Sequence, residues 1–269
     1  MVDKFLYTSI ILMAIVAFIV GGALVILGLI KRHRHTKELL LTLIVLASVG
    51  VSPNLTVFSP AGFISWSTYF WYLVVPGFIL FIGILIYAYV SGEQRLFNRM
   101  WAGMWAGFAA AIALDIVRLT GFKLGYMPGN MPRMFGVMIW GNMLEGPNAL
   151  SDFIGYAYHF WNGCAFGIVY ALIFGKTSWI GPLIYSAAFV EIGMMISPAM
   201  LSMGVGPFGI NFGPGLFMVS LLAHIAMGIV MGVILQRYVR DQGTILKLLP
   251  FGEERSGEVL TGYGQTSRS

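Results

Sequence analysis

The chain of 269 residues is 58% hydrophobic and only 10% charged, and its mean hydropathy is +0.83. Soluble domains carry about 25% charged residues, so these few charges exclude a water-exposed globule, and lipid is the expected solvent. The net charge of +5 does not indicate nucleic-acid binding, because the basic residues stand in short segments between apolar runs. The single cysteine, Cys164, excludes an internal disulfide and a cysteine-based zinc site.

Repeated apolar runs are long enough to cross a hydrocarbon core of roughly 30 Å. We therefore predict an all-α membrane protein, a bundle of about seven transmembrane helices. The helices are expected near residues 5–30, 38–58, 67–91, 100–122, 152–175, 178–200 and 214–238. The first run is too long for the core of a signal peptide and has no basic segment before it, so it is interpreted as a retained helix.

The distribution of basic residues predicts the orientation. Lysines and arginines follow the first, third, fifth and seventh runs and are sparse on the other side. By the positive-inside rule, the N-terminus lies outside and the C-terminus inside. We expect residues 1–99 to form a three-helix N-terminal module for docking to other membrane subunits, residues 100–240 a four-helix core, and residues 241–269 a polar cytoplasmic tail.

The longest loop is expected between Lys123 and Ser151. Its methionines recur at helical spacing, at Met127, Met131, Met134 and Met138. Thioethers in this pattern have two interpretations. One is a soft copper site, and the other is an interfacial helix that lays a flexible apolar stripe on the bundle or the membrane.

The last four helices contain a possible internal repeat. The fifth and the seventh both read H-x-x-x-G-x-x-x-G, with His159, Gly163 and Gly167 in one and His224, Gly228 and Gly232 in the other. Each is preceded by a helix of the opposite direction that carries one acid, Asp115 or Glu191. The pattern predicts two acid–histidine hairpins, residues 100–176 and 177–240, related as a parallel repeat.

These two acids and two histidines are predicted to share one layer of the bilayer. With a rise of about 1.5 Å per residue, each lies roughly 10–15 Å below the outer boundary. A central charge facing lipid costs about 2.5–3.5 kcal/mol even on the lenient scale, so the four side chains are expected to turn inward and meet. Arg118, one turn from Asp115, is expected to pair with it.

The cluster has a cofactor interpretation in three versions. The imidazoles could be axial ligands of haem b, with the four repeat glycines leaving room for the macrocycle. Alternatively, the histidines and acids could ligate a transition-metal ion. In the third version each acid orients one imidazole from behind. The residues concerned are His159, His224, Asp115 and Glu191 as metal ligands, and His159, His224, Gly163, Gly167, Gly228 and Gly232 around a cofactor.

Two other interpretations stay open. Glycines at four-residue spacing are a common helix-packing device in membranes, so the chain could be a structural or assembly subunit without a cofactor. Intramembrane acids and histidines also build proton- or ion-coupled transporters, and Pro182 and Pro198 could kink the sixth helix of such a protein. No phosphate-binding, dinucleotide-binding or hydrolase motif occurs, so an enzyme is not predicted.

Three segments carry a resemblance to a known group. They are Ala113-Leu114-Asp115, the helix with His159, Gly163 and Gly167-Ile-Val-Tyr-Ala171, and the closing Ala223-His224-x-x-x-Gly228. Through them residues 101–238 resemble the uncharacterised YagU-like proteins of prokaryotic inner membranes. The resemblance implies a prokaryotic plasma-membrane protein and, in one branch, a link to acid tolerance, but no ligand set. We expect a membrane subunit that holds a haem or metal centre within a larger complex.

Overall fold

The computed structural model describes residues 20–30 and 35–249, and these residues are helical with no strand among them. The predicted all-α class is confirmed. Six of the described helices are long and apolar enough to cross a membrane, and two are shorter. In chain order they are α1 (Val20–Ile30), α2 (Thr36–Phe58), α3 (Trp66–Val90), α4 (Gln94–Lys123), α5 (Met131–Trp140), α6 (Ala149–Phe174), α7 (Ile180–Ser202) and α8 (Pro214–Tyr238).

The six long helices lie where the sequence predicts them, within a few residues except at the start of α4. That helix begins at Gln94 rather than near residue 100. Its extra turns carry Arg95 and Arg99, which hydropathy excludes from an apolar run but which the structure pairs with acids. The predicted first helix, residues 5–30, lies mostly outside the described residues.

Two of the long helices are irregular. A π-helical turn spans Phe70–Val74 in α3, and another spans Tyr185–Val190 in α7. Helix α7 also breaks at Ser197, which adopts an extended conformation before Pro198 and accepts a hydrogen bond from the Met200 N–H. A residue before proline is driven out of the helical region, so the expected irregularity at Pro198 is a break that divides the span.

Helix α4 lies between α6 and α8 at the centre of the bundle. Its Gly103 and Gly107 face Gly167 and Gly163 of α6 so closely that a Cβ at Gly107 would stand 2.8 Å from the Cα of Cys164. Small residues let two helices approach through their backbones and gain dispersion contacts. This close packing fixes the spacing between the acid of α4 and the histidine of α6.

The short helix α5 carries part of the methionine pattern and packs against α6. Gly136 and Gly155 bring the two backbones together. Met131 is buried, as is Met127 just before the helix, while Met134 and Met138 are partly buried against the same core. The four methionines therefore contribute to an apolar contact surface between α5 and the bundle.

A polar network closes the end of the bundle where α4 begins and α8 ends. The side chain of Arg99 is 2% exposed and donates to the Asp241 carboxylate and to the carbonyls of Leu172 and Gly243. Arg95 joins the same carboxylate to Glu38 of α2. A buried guanidinium needs this number of acceptors, and they tie the segment after α8 to three helices.

Candidate functional site

The first acid–histidine pair joins α4 and α6. Nε2 of His159 lies 2.9 Å from Oδ1 of Asp115, and both residues are buried. The carboxylate stands off the direction of the ring N–H, so Nε2 has a close ionic neighbour but no aligned hydrogen bond. The glycine contacts between the two helices hold the pair together, because they set the distance between the backbones.

The second pair joins α7 and α8. Nδ1 of His224 lies 2.5 Å from Oε2 of Glu191 and 3.0 Å from the backbone carbonyl of Ser220. The Ser220 hydroxyl donates to the same carboxylate oxygen at 2.9 Å. Glu191 follows directly after the π-helical turn of α7, and Ser186 in that turn donates to the carbonyl of His224. The irregular turn therefore fixes α7 against α8 at the level of the pair.

The two predicted hairpins each bring their acid and their histidine into contact. The four side chains nevertheless form two separate pairs. Among the described residues, no group of three or more His, Cys, Asp and Glu side chains is close enough to hold a metal ion. A third ligand within reach of either pair would create such a group, so the two histidines are too far apart to share one ion.

One cavity of about 390 Å³ has both histidines in its wall. Its lining comes from α2, α4, α5, α6, α7 and α8 and is mainly apolar. Neither Asp115 nor Glu191 is part of the lining, so each acid stands behind its histidine as seen from the cavity. This arrangement corresponds to the version in which the acids orient the imidazoles.

The second ring nitrogens are the free positions of the site. Nδ1 of His159 and Nε2 of His224 make no hydrogen bond with any described residue, and neither is sealed off as a buried unpaired atom. Both rings belong to the lining of the same cavity. A neutral imidazole whose one nitrogen donates to an acid carries a lone pair on the other.

Neighbouring helices fill the space beside the four repeat glycines. A Cβ at Gly163 would meet Ala111 and Gly107, and one at Gly167 would meet Gly103. Along α8, Gly228 faces Leu183 and Pro182, and Gly232 faces Trp179. A Cβ on each of these glycines would point into a neighbouring helix, and of the four only Gly163 also belongs to the cavity lining. They therefore do not form a shared open face for the edge of a flat macrocycle, and together with the separation of the histidines this makes haem b a poor match to the site.

Arg118 takes a different partner from the one expected. Its guanidinium donates to the Ser220 hydroxyl at 3.3 Å and contacts Sδ of Met194 at 2.7 Å, whereas the ion-pair partner of Asp115 is His159. The pairing at i,i+3 was wrong because the arginine side chain is long enough to reach α7 and α8. A chain of contacts now runs from Arg118 through Ser220 to Glu191.

Sequence reasoning missed three polar residues of the site. Ser220 lies one turn before His224, and a search for hydroxyls at four-residue spacing from the histidine would have found it. Ser186 is hidden by the π-helical turn, which shifts the helical register. Asn162 lines the cavity three residues after His159 and donates to the Tyr158 hydroxyl at 3.3 Å.

No protein-family model matches the chain, and no curated protein or solved structure shows significant similarity to it. The function therefore has to follow from the geometry of the site.

Proposed function

We propose that this chain is an integral membrane protein that binds a small cofactor or substrate in the cavity between its spans, with His159 and His224 as the contacting groups. One observation carries the proposal: two imidazoles from different hairpins line a single cavity, and each has a carboxylate oxygen within 2.9 Å that is not part of the lining. Acids in that position fix the tautomer and the ring orientation of a ligand-binding histidine.

The energetic argument supports binding. Four ionisable side chains lie within spans, where charges are rare and usually functional. A metal ion would have to bind at one acid–histidine pair and not at both histidines. Within the described residues, no third acid, histidine or cysteine accompanies either pair. The separation of the histidines favours a molecule that extends from one ring to the other.

The second candidate is a structural subunit. It is favoured by one contact: Nδ1 of His224 is satisfied within its own hairpin, by Glu191 and the Ser220 carbonyl. In that case the acid–histidine pairs stabilise the hairpins and the cavity binds nothing. The two candidates differ in what accompanies the purified protein.

The topology that we propose places the cavity in the outer half of the membrane. The described basic residues Arg95, Arg99, Lys176, Arg237 and Arg240 follow every second span, and the positive-inside rule assigns that end to the cytoplasm. We infer a prokaryotic plasma membrane, a parallel repeat of the two acid–histidine hairpins and association with other membrane subunits through α2 and α3. Helix α3 exposes many large apolar side chains, and this surface is covered either by lipid or by such a subunit.

The test is to identify what the protein carries. The full chain is purified in mild detergent, and its absorption spectrum, metal content and extractable organic molecules are determined. We expect one non-lipid species, lost from His159→Phe and from His224→Phe, which keep a ring but have no acceptor nitrogen. His35→Phe is the matched control, because His35 precedes α2 at the end of the span remote from the cavity. A wild-type protein with no bound species, or His variants that retain it, would favour the structural subunit.

A further inference from the structure

The cavity presents hydrogen-bond acceptors from opposing hairpins. Nδ1 of His224 faces two acceptors, the Glu191 carboxylate and the Ser220 carbonyl, so it carries the proton and leaves a lone pair on Nε2. Nε2 of His159 lies 2.9 Å from Oδ1 of Asp115 without an aligned hydrogen bond, so only the charge of this carboxylate draws the proton to Nε2, and on that ground we place the lone pair of this ring on Nδ1. Both lone pairs belong to rings that line the cavity.

Asn162 lines the same cavity, and the orientation of its amide can be assigned. The Tyr158 hydroxyl donates to the carbonyl of Ser52 at 3.0 Å, so its oxygen accepts from Nδ2 of Asn162. This assigns the amide, and its Oδ1 is buried without a partner among the described residues. A ligand that pairs with the two ring nitrogens must donate hydrogen bonds, whereas Arg118 in the same wall is itself a donor, and its Nε is buried without a partner.

The charges around the cavity favour a neutral molecule. Arg118 lies in the wall and repels a cation. Two carboxylates, Asp115 and Glu191, stand behind the wall against this one guanidinium, so an anion would add to an excess of negative charge. Electrostatic interactions are strong in a medium of low dielectric constant, and both kinds of ion are therefore disfavoured.

The remaining lining matches a flat ring with an apolar substituent. Phe135, Phe166, Tyr185 and Phe189 come from three helices, and aromatic rings stack favourably on other rings. The rest of the lining is mostly aliphatic side chains and methionines. The pocket is thus an apolar space with acceptors on its walls, which is a common design for binding small organic molecules.

We propose that the cavity binds the head group of a quinol, a 1,4-dihydroxybenzene ring with an apolar tail. One hydroxyl donates to Nδ1 of His159 and the other to Nε2 of His224. This inference rests on the proposed function and names its ligand. It concerns binding alone.

The test uses decylubiquinol, kept reduced under anaerobic conditions, and the full chain in detergent. Binding is followed by quenching of tryptophan emission. The matched ligand is the dimethyl ether of the same quinol, which keeps the ring and the tail but has no hydroxyl donors. We expect saturable binding of the quinol and at least tenfold weaker binding of the ether.

The protein variants test each histidine. His159→Phe and His224→Phe keep a ring but lose the acceptor nitrogen, and each should raise the Kd for the quinol about tenfold or more. His159→Gln and His224→Gln keep an acceptor oxygen and should restore part of the affinity, which also guards against a misfolded phenylalanine variant. His35→Gln should bind as the wild type does.

Three results would contradict the proposal that the cavity binds a quinol. They are equal affinity for quinol and ether, no saturable binding of the quinol, and an unchanged Kd in both folded phenylalanine variants. If the purified protein instead carries another species that requires His159 and His224, the quinol is wrong and the proposed function stands. If the purified protein carries no such species and binds no quinol, the quinol proposal and the proposed function are both wrong.

Discussion

The contact between α4 and α6 gives the sharpest prediction about stability. Gly107→Ala places a methyl group against the backbone of Gly163 and Cys164, 2.8 Å from the Cα of Cys164. Backbone atoms cannot rotate away as a side chain would, so the helices must separate. Overpacking of this kind costs about 1–3 kcal/mol, and the better helix propensity of alanine returns at most about 1 kcal/mol.

The matched control is Gly83→Ala. Gly83 lies inside α3 with open space around its Cα, so the same substitution carries the propensity gain without the clash. Both variants are compared with wild type by thermal unfolding in one detergent, followed by helical circular dichroism. We expect Gly107→Ala to unfold several degrees below wild type and Gly83→Ala at or above it. Equal midpoints for the two variants would refute the argument that backbone contact at Gly107 holds the hairpin.

Two further predictions concern the polar network around Asp241 and the hydrogen bond between Tyr158 of α6 and Ser52 of α2. A third prediction serves as a control. Burial alone would raise the pKa of Asp241, but hydrogen bonds and charge from Arg99 outweigh it and hold the pKa below its ordinary value. The stabilisation is thus present above about pH 4 and lost as the pH falls through the lower folded pKa, so Asp241→Asn should lower the thermal midpoint at pH 7 and flatten its fall in acid. Tyr158→Phe should cost about 1 kcal/mol, because the Ser52 carbonyl loses its donor, and unfolding at matched detergent concentration measures it. Arg133→Gln breaks only an exposed ion pair, and an altered midpoint would contradict its peripheral role.

The spans could be predicted because hydropathy records the solvent of each segment directly. Helix α3, for example, has a mean hydropathy of 2.5 over its most apolar window and begins one residue before its predicted start. The start of α4 could not be predicted in this way, since Arg99 is buried by partners on a segment 142 residues away. The break at Ser197 follows from Pro198 and has a local signal, whereas the π-helical turn near Ser186, which contacts α8 through the carbonyl of His224, has none.

The candidate site was predictable in its members but not in its arrangement. From the cost of a charge in lipid, we predicted that the two acids and the two histidines face inward, and all four are buried. The hairpin pattern indicated which acid lies beside which histidine, and the contacts agree with it. Convergence of all four on one ion did not follow, because depth along the membrane normal does not fix distance within its plane. The position of α5 and α7 around the cavity, which decides that distance, depends on long-range packing.

Several buried polar atoms around the cavity have no hydrogen-bond partner among the described residues. Within the described part of the chain, Nε of Arg118, Oδ1 of Asn162 and Oε1 of Glu191 are buried without a hydrogen-bond partner. Each such group costs about 1–3 kcal/mol, and native cores keep few of them. Two of the three belong to residues that line the cavity, and the third belongs to the acid behind His224. Unpaired buried atoms also occur away from the cavity, at Arg95 and Trp161 for example. These groups alone therefore do not distinguish a binding site from a structural core, and the distinction rests on the species that accompanies the purified protein.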